Sequence, residues 1–226
     1  MQRQQDDPLV RGLSFEDRFG LLIDAEYARR QNNKIANLIR KAHFQDKGAC
    51  LEDIKYFPDR NLNKTEIASL SSGVYLEEKR NIIILGATGA GKSFLAQGLG
   101  LSACRKGKKV RYIRLPELLV DFSIARGEGT YQKLMSEYKK YDLIILDEWL
   151  FHPLSDNEAT DLLEIIQARY QNGSIIFCSQ IATGGWVDKL GAVNVAEAII
   201  DRILHNSYEI RIEGQESMRK RTGIKS

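Results

Sequence analysis

The chain has 226 residues, with 33 lysines and arginines against 30 aspartates and glutamates, a formal net charge of +3 and 43% hydrophobic residues. That length suits one α/β domain with a full core and a modest extension and leaves little room for a second full domain, while the small basic excess mildly favours a nucleic-acid partner. Cys50, Cys104 and Cys178 are far apart with no C-x-x-C pair, and His43, His152 and His205 are scattered, which argues against a disulfide framework and a zinc site.

The N-terminus lacks the apolar core of a secretory signal and no segment approaches a membrane span, so a soluble, cytoplasmic protein is expected. Residues 1 to about 12 are polar and carry Pro8 and Gly12, which predicts little order for them alone. Ser14 followed by Asp17 reads as a helix cap, with Phe15, Phe19, Leu22 and Ile23 at helical spacing behind it. The pattern resumes with Ile35, Leu38, Ile39 and Ala42, as one long helix or two shorter ones. From Arg29 to Lys41 there are five basic residues, Arg29, Arg30, Lys34, Arg40 and Lys41, and no acidic one, either a solvated face or a set of DNA phosphate contacts. Gly48 and Pro58 mark a connector, and Asn63 to Glu66 caps a short helix. A boundary near residue 60 is expected, dividing an N-terminal helical region (1–60, for assembly or DNA contact) from the main domain (61–226). Val74, Tyr75 and Leu76 pack either on an adenine ring or in the core.

Gly86-Ala87-Thr88-Gly89-Ala90-Gly91-Lys92-Ser93 follows the apolar run Ile82 to Leu85 and precedes a helical pattern that begins with Lys92, Ser93 and Phe94. The G-x-x-x-x-G-K-S spacing is a phosphate cradle. Its glycines let the backbone turn tightly and aim N–H groups at phosphate oxygens, and the following helix points its positive end at the same anion. Lys92 is expected to reach the β- and γ-phosphates of a nucleotide, and Ser93 to ligate the magnesium ion that bridges them.

Val110 to Leu115 reads as a strand, and Pro116 starts a helix bearing Leu118, Leu119, Phe122 and Ala125; a further short helix covers Tyr131 to Tyr138. Leu143 to Leu146 forms a buried strand that ends in Asp147 and Glu148. Asp147 is the expected magnesium carboxylate, directly or through water, and Glu148 the base that orients or deprotonates the attacking water. Ser155 and Glu158 cap another helix, and Ser174 to Cys178 is a strand delivering Ser179 and Gln180 to the same sheet edge, either as polar groups for the lytic water or γ-phosphate or as ordinary loop residues. A helix from Ala196 to Leu204 and a strand from Tyr208 to Ile212 lead into the basic tail Met218 to Arg221.

Taken together, the phosphate loop, Asp147-Glu148, Ser179-Gln180 and Asp201-Arg202 resemble an AAA+ ATPase module. More narrowly, Ser14 to Arg18, Asp24 to Tyr27, Leu51 to Ile54, Ile200 to Asn206 and Glu216 to Lys220 resemble the IstB-type transposition helper ATPases, which are similar to DnaC-type helicase loaders. The resemblance implies an α/β P-loop fold with a five-stranded parallel sheet, helices on both faces, and a two-helix insertion at about 116 to 140. It also implies ATP-dependent assembly on duplex DNA into rings or filaments and recruitment of a transposase, with helicase loading as the alternative. Arg202 is then an arginine finger completing a neighbouring subunit's site, or else one half of a local pair with Asp201. Arg219 resembles a sensor arginine on the nucleotide. Candidate DNA contacts are Arg29, Arg30, Arg126, Lys133, Lys139 and Lys140. Gly191 to Val195 departs from the loop usual in these helpers, which bears on partner contacts. Rivals on the residues alone are a small-molecule P-loop kinase and a nucleotide-gated DNA scaffold.

Overall fold

A computed structural model describes residues 12–214 and 216–223, so the expectation for residues 1 to about 12 lies outside the described residues, Gly12 aside. Ser14 does cap the first helix, accepting from the Asp17 amide at 3.1 Å. That helix, α1 (Phe15–Ala42), is single and continuous rather than two. Its acidic first turn (Glu16, Asp17) and basic last turn (Arg40, Lys41) both favour the helix dipole.

Compact units divide between Asn37 and Leu38, not near residue 60. The reason is packing. Ala42, Phe44 and Ile54 are buried in the same apolar cluster as the sheet residues Ile82, Ile84 and Ile145, so the connector belongs to the nucleotide module. Helix α2 (Lys64–Ser71) is capped by Asn63, whose side chain accepts from Thr65 and Glu66, and α3 (Val74–Glu77) follows. Tyr75 and Leu76 are buried in the core cluster and take the packing role, not the adenine one.

The sheet is five-stranded and parallel in the order β2-β3-β4-β1-β5: β1 (Asn81–Gly86), β2 (Val110–Arg114), β3 (Leu143–Trp149), β4 (Ser174–Ser179) and β5 (Ser207–Ile212). Strand periodicity sorts its residues to two cores. Ile82, Ile84, Ile145 and Ile176 face α4 (Lys92–Arg105) and the connector, whereas Ile83, Leu85, Ile144, Leu146 and Phe177 face the opposite layer. That layer holds α5 (Leu115–Gly127), α6 (Tyr131–Tyr138), α7 (Asp156–Arg169) and α8 (Val193–Leu204). Helices α5 and α6 form the expected insertion between β2 and β3, and Ser155 and Glu158 form a reciprocal capping box on α7. A short helix, α9 (Met218–Thr222), ends the described chain.

One buried feature anchors each end of β4. Trp149 packs edge-on against Phe177 at 4.5 Å and Trp186 at 5.5 Å between centroids, anchoring the segment that follows β4. At the other end, the buried Arg169 donates to the carbonyls of Tyr138 (3.0 Å), Tyr141 (2.9 Å) and Ser174 (2.9 Å), and burial holds its pKa down to about 10. Among the described residues no helix is long and apolar enough to cross a membrane.

Candidate functional site

Parallel strands leave their C-terminal ends on one edge, and ligand sites of open α/β sheets form in the crevice there. Strand β1 delivers Gly86 to that edge between β4 and β5, and residues 86–93 then turn into α4. Two glycines are required by the turn. Gly89 has φ 78° and Gly91 φ 95°, and a Cβ on Gly91 would stand 2.9 Å from the Arg60 guanidinium. The first-turn amides of α4 have no partners within the helix and so are available to an anion, together with the positive helix end.

Lys92 is buried, and its ammonium donates to the carbonyls of Gly86 (2.8 Å) and Ala87 (2.9 Å) in its own loop. Burial pushes its pKa down, while neighbouring Cys178 and Asp147 oppose the shift. A cation so held has exchangeable neutral partners and lies within the field of a carboxylate.

Strand β3 supplies that carboxylate through a bulge. Leu146 pairs with Phe177 and Trp149 with Ser179, so Asp147 and Glu148 together face one residue of β4. Glu148 takes a left-handed backbone, φ 55°, which an L-residue adopts at a cost and which turns its side chain away from the ladder. Asp147 is buried. Its Oδ2 accepts from the Tyr112 hydroxyl at 2.8 Å and its Oδ1 from the Glu148 amide at 2.9 Å. Glu148 is half-buried, and its Oε1 accepts from the Arg114 guanidinium at 3.4 Å, while Arg114 also pairs with Glu117 at 2.7 Å.

Of the two expected residues at the end of β4, one faces the loop. Gln180 accepts from the Thr88 hydroxyl at 2.8 Å, joining β4 to the phosphate loop. Ser179 does not join it, which corrects its expected catalytic role. It is fully buried, donates to the Ile181 carbonyl at 2.9 Å and accepts from the Ile181 amide at 3.1 Å, so its hydroxyl is spent on the turn.

Beside the loop lies a cavity of about 530 Å³, within the range of small-molecule pockets. Gly89, Gly91, Lys92, Ser93 and Phe94 form one side, and Met218 and Arg219 of α9 another, so Arg219 does line the site. The remaining wall was not expected. Gln45, Asp46, Asp53, Ile54, Lys55, Arg60 and Leu62 come from the connector, and Gln97 of α4 braces it by accepting from the Asp46 amide at 2.8 Å. The donor set fits a magnesium nucleotide. Magnesium is usually held by one or two protein oxygens plus phosphates, and Ser93 and Asp147 are oxygen donors of that kind at this edge.

Arg202 lies on α8 and donates to the Ala198 carbonyl at 2.7 Å, while Asp201 contacts His205 at 3.2 Å. The local Asp201–Arg202 pair is therefore not formed.

The expected DNA contacts divide. Arg29 and Arg30 both grip Glu26, at 2.7 and 2.6 Å, and hold its carboxyl down to about 2. Arg126 is bound to the buried carboxylate of Asp161 and stacks over the Tyr131 ring at 4.0 Å, tying α5 to α7. Lys133, Lys139 and Lys140 are exposed, with no ion pair among the described residues.

A protein-family model described as "IstB-like ATP binding protein" matches residues 2–226. A relative from Sinorhizobium fredii, provisionally described as an insertion sequence ATP-binding protein, is 36% identical over 95% of this chain and 86% of its own length. A counterpart in insertion sequence IS1162 of Pseudomonas fluorescens is 37% identical over 80% of this chain and 78% of its own. Among solved structures, AMPPCP-bound DnaA from Aquifex aeolicus superposes with TM-score 0.64 at 22% identity over 78% of this chain and 53% of DnaA, about half its length. The DnaC helicase loader matches with TM-score 0.56 at 20% identity over 66% of this chain and 87% of its own. These structures share the AAA+ fold.

Proposed function

Because the chain belongs to the family of IstB-like ATP binding proteins, we propose that it is a magnesium-dependent ATPase that assembles on duplex DNA and engages a partner transposase. The convergence of Lys92, Asp147 and Gln180 on one sheet edge beside the cavity carries the nucleotide part of the reading. The insertion-sequence relatives favour a transposition partner over a helicase, since the likeness to DnaC speaks to the fold alone.

In this reading the ATP phosphates replace the Gly86 and Ala87 carbonyls as partners of Lys92, and the loop amides hold the phosphate oxygens. Ser93 and Asp147 would hold magnesium, which would supply neutralisation of phosphate charge. Glu148 orients and deprotonates the attacking water once it leaves Arg114, and Gln180 holds the γ-phosphate side of the site. Arg202 acts in a neighbouring copy's site, so hydrolysis depends on assembly. DNA is gripped through phosphates and with little sequence preference.

The test is ATP turnover and sedimentation on duplex DNA across a salt series. Glu148→Gln is expected to keep ATP affinity, lower turnover at least about 100-fold, and trap the DNA-bound assembly. A parent that stays monomeric with ATP and duplex supplied, or a variant that disassembles at the parental rate, defeats the proposal.

A further inference from the structure

Residues 57–60 reach the phosphate loop, the connector and α9, although none of them belongs to the phosphate loop. Arg60 is 6% exposed. Its guanidinium donates to the Ala90 carbonyl inside the phosphate loop at 2.7 Å and to the Lys55 carbonyl at 2.5 Å, and its own carbonyl accepts from the Glu213 amide beyond β5 at 3.1 Å. One residue earlier, Asp59 presents both carboxylate oxygens to the two terminal nitrogens of Arg221, one of them at 2.9 Å. Arg221 also donates to Glu216 at 3.3 Å and lies over the Phe57 ring at 5.0 Å from its centroid.

Arg221 is on α9, whose first residues Met218 and Arg219 line the cavity, and the Met218 amide donates to the Gly89 carbonyl of the phosphate loop at 2.9 Å. A five-residue helix is too short to hold a position by its own hydrogen bonds. Its place beside the cavity is therefore set by what it binds, and the two-pronged Arg221–Asp59 contact is the strongest kind of charged hydrogen bond available to it.

We propose that Asp59 is a positioning residue: through Arg221 it latches α9 across the cavity, so that the C-terminal segment closes on bound ATP and the opening of this latch sets the rate of ATP release. Arg60 fixes the same connector to the phosphate loop, so the latch closes against a stationary wall. The inference rests on the ATP reading above and adds the element that controls nucleotide residence. Catalytic groups at Asp147 and Glu148 are untouched by it.

The experiment measures release of a fluorescent ATP analogue by stopped flow, with steady-state turnover, for the full chain and for Asp59→Asn, Arg221→Gln and the double variant. Each single change is expected to speed release about five-fold, a size typical of a partly exposed charged pair that is two-pronged. It should also raise KM by a similar factor and leave kcat within about two-fold. The double variant should be no faster than either single one, because both remove the same contact. Melting temperature without nucleotide checks that the variants are folded, and a merely structural role for the pair would lower it without the KM-against-kcat split. Parental release rates in all variants, or strictly multiplicative effects in the double variant, overturn the latch alone. Failure of the parent to bind the analogue overturns the ATP reading, and the latch with it.

Discussion

At the phosphate loop the key cation, Lys92, rests on neutral carbonyls of its own loop, whereas on α1 the cations Arg29 and Arg30 rest on a carboxylate, Glu26. An incoming phosphate displaces carbonyls from Lys92 and gains a full opposite charge. At Arg29 and Arg30 it competes with a charge already present, and at Arg126 it competes with the buried Asp161. Readiness for an anion is thus set by what a basic residue already holds. By that measure the nucleotide edge is prepared, and on the basic surface Lys133, Lys139 and Lys140 are the better prepared groups.

The largest effect should come from removing the prepared cation. Lys92→Ala is expected to weaken ATP binding at least about 100-fold, the scale of a lost charge-assisted phosphate contact, measured by titration calorimetry. Unchanged affinity breaks the comparison at its strong end. A smaller effect is expected at the surface. Replacing Lys139 and Lys140 together by alanine should weaken duplex binding roughly tenfold at low salt and lower the log–log salt slope by about 2, read by fluorescence anisotropy. An unaltered slope removes this pair from the DNA interface. The smallest DNA effect belongs to Arg126→Gln, which is expected to leave duplex affinity within about two-fold. It should instead lower the melting temperature, because Asp161 loses its partner while buried. Loss of DNA affinity without loss of stability reverses the assignment.

The period of two in a strand explains why Ser179 turns from the phosphate loop while Gln180 reaches it. Ile175, Phe177 and Ser179 point to one face of β4, so Ser179 is directed towards the tryptophan-rich core beneath, and Gln180 emerges where the chain leaves the sheet. That alternation was available in the sequence. The role of Arg60 was not, since its contact with Ala90 spans 30 positions and the residue sits in what reads as a polar connector. The same holds for Arg114, whose pairing with Glu148 spans 34 positions.

Local chemistry fixed the phosphate loop, the helix caps at Ser14, Asn63 and Ser155, and the buried strands, because glycine geometry, capping and alternation act over a few residues. Only the folded chain decided that connector residues between Gln45 and Leu62 complete the cavity, that Asp59 meets Arg221, and that Arg126 is engaged by Asp161. Those outcomes depend on which distant side chains share a desolvated space, and no short-range pattern encodes that.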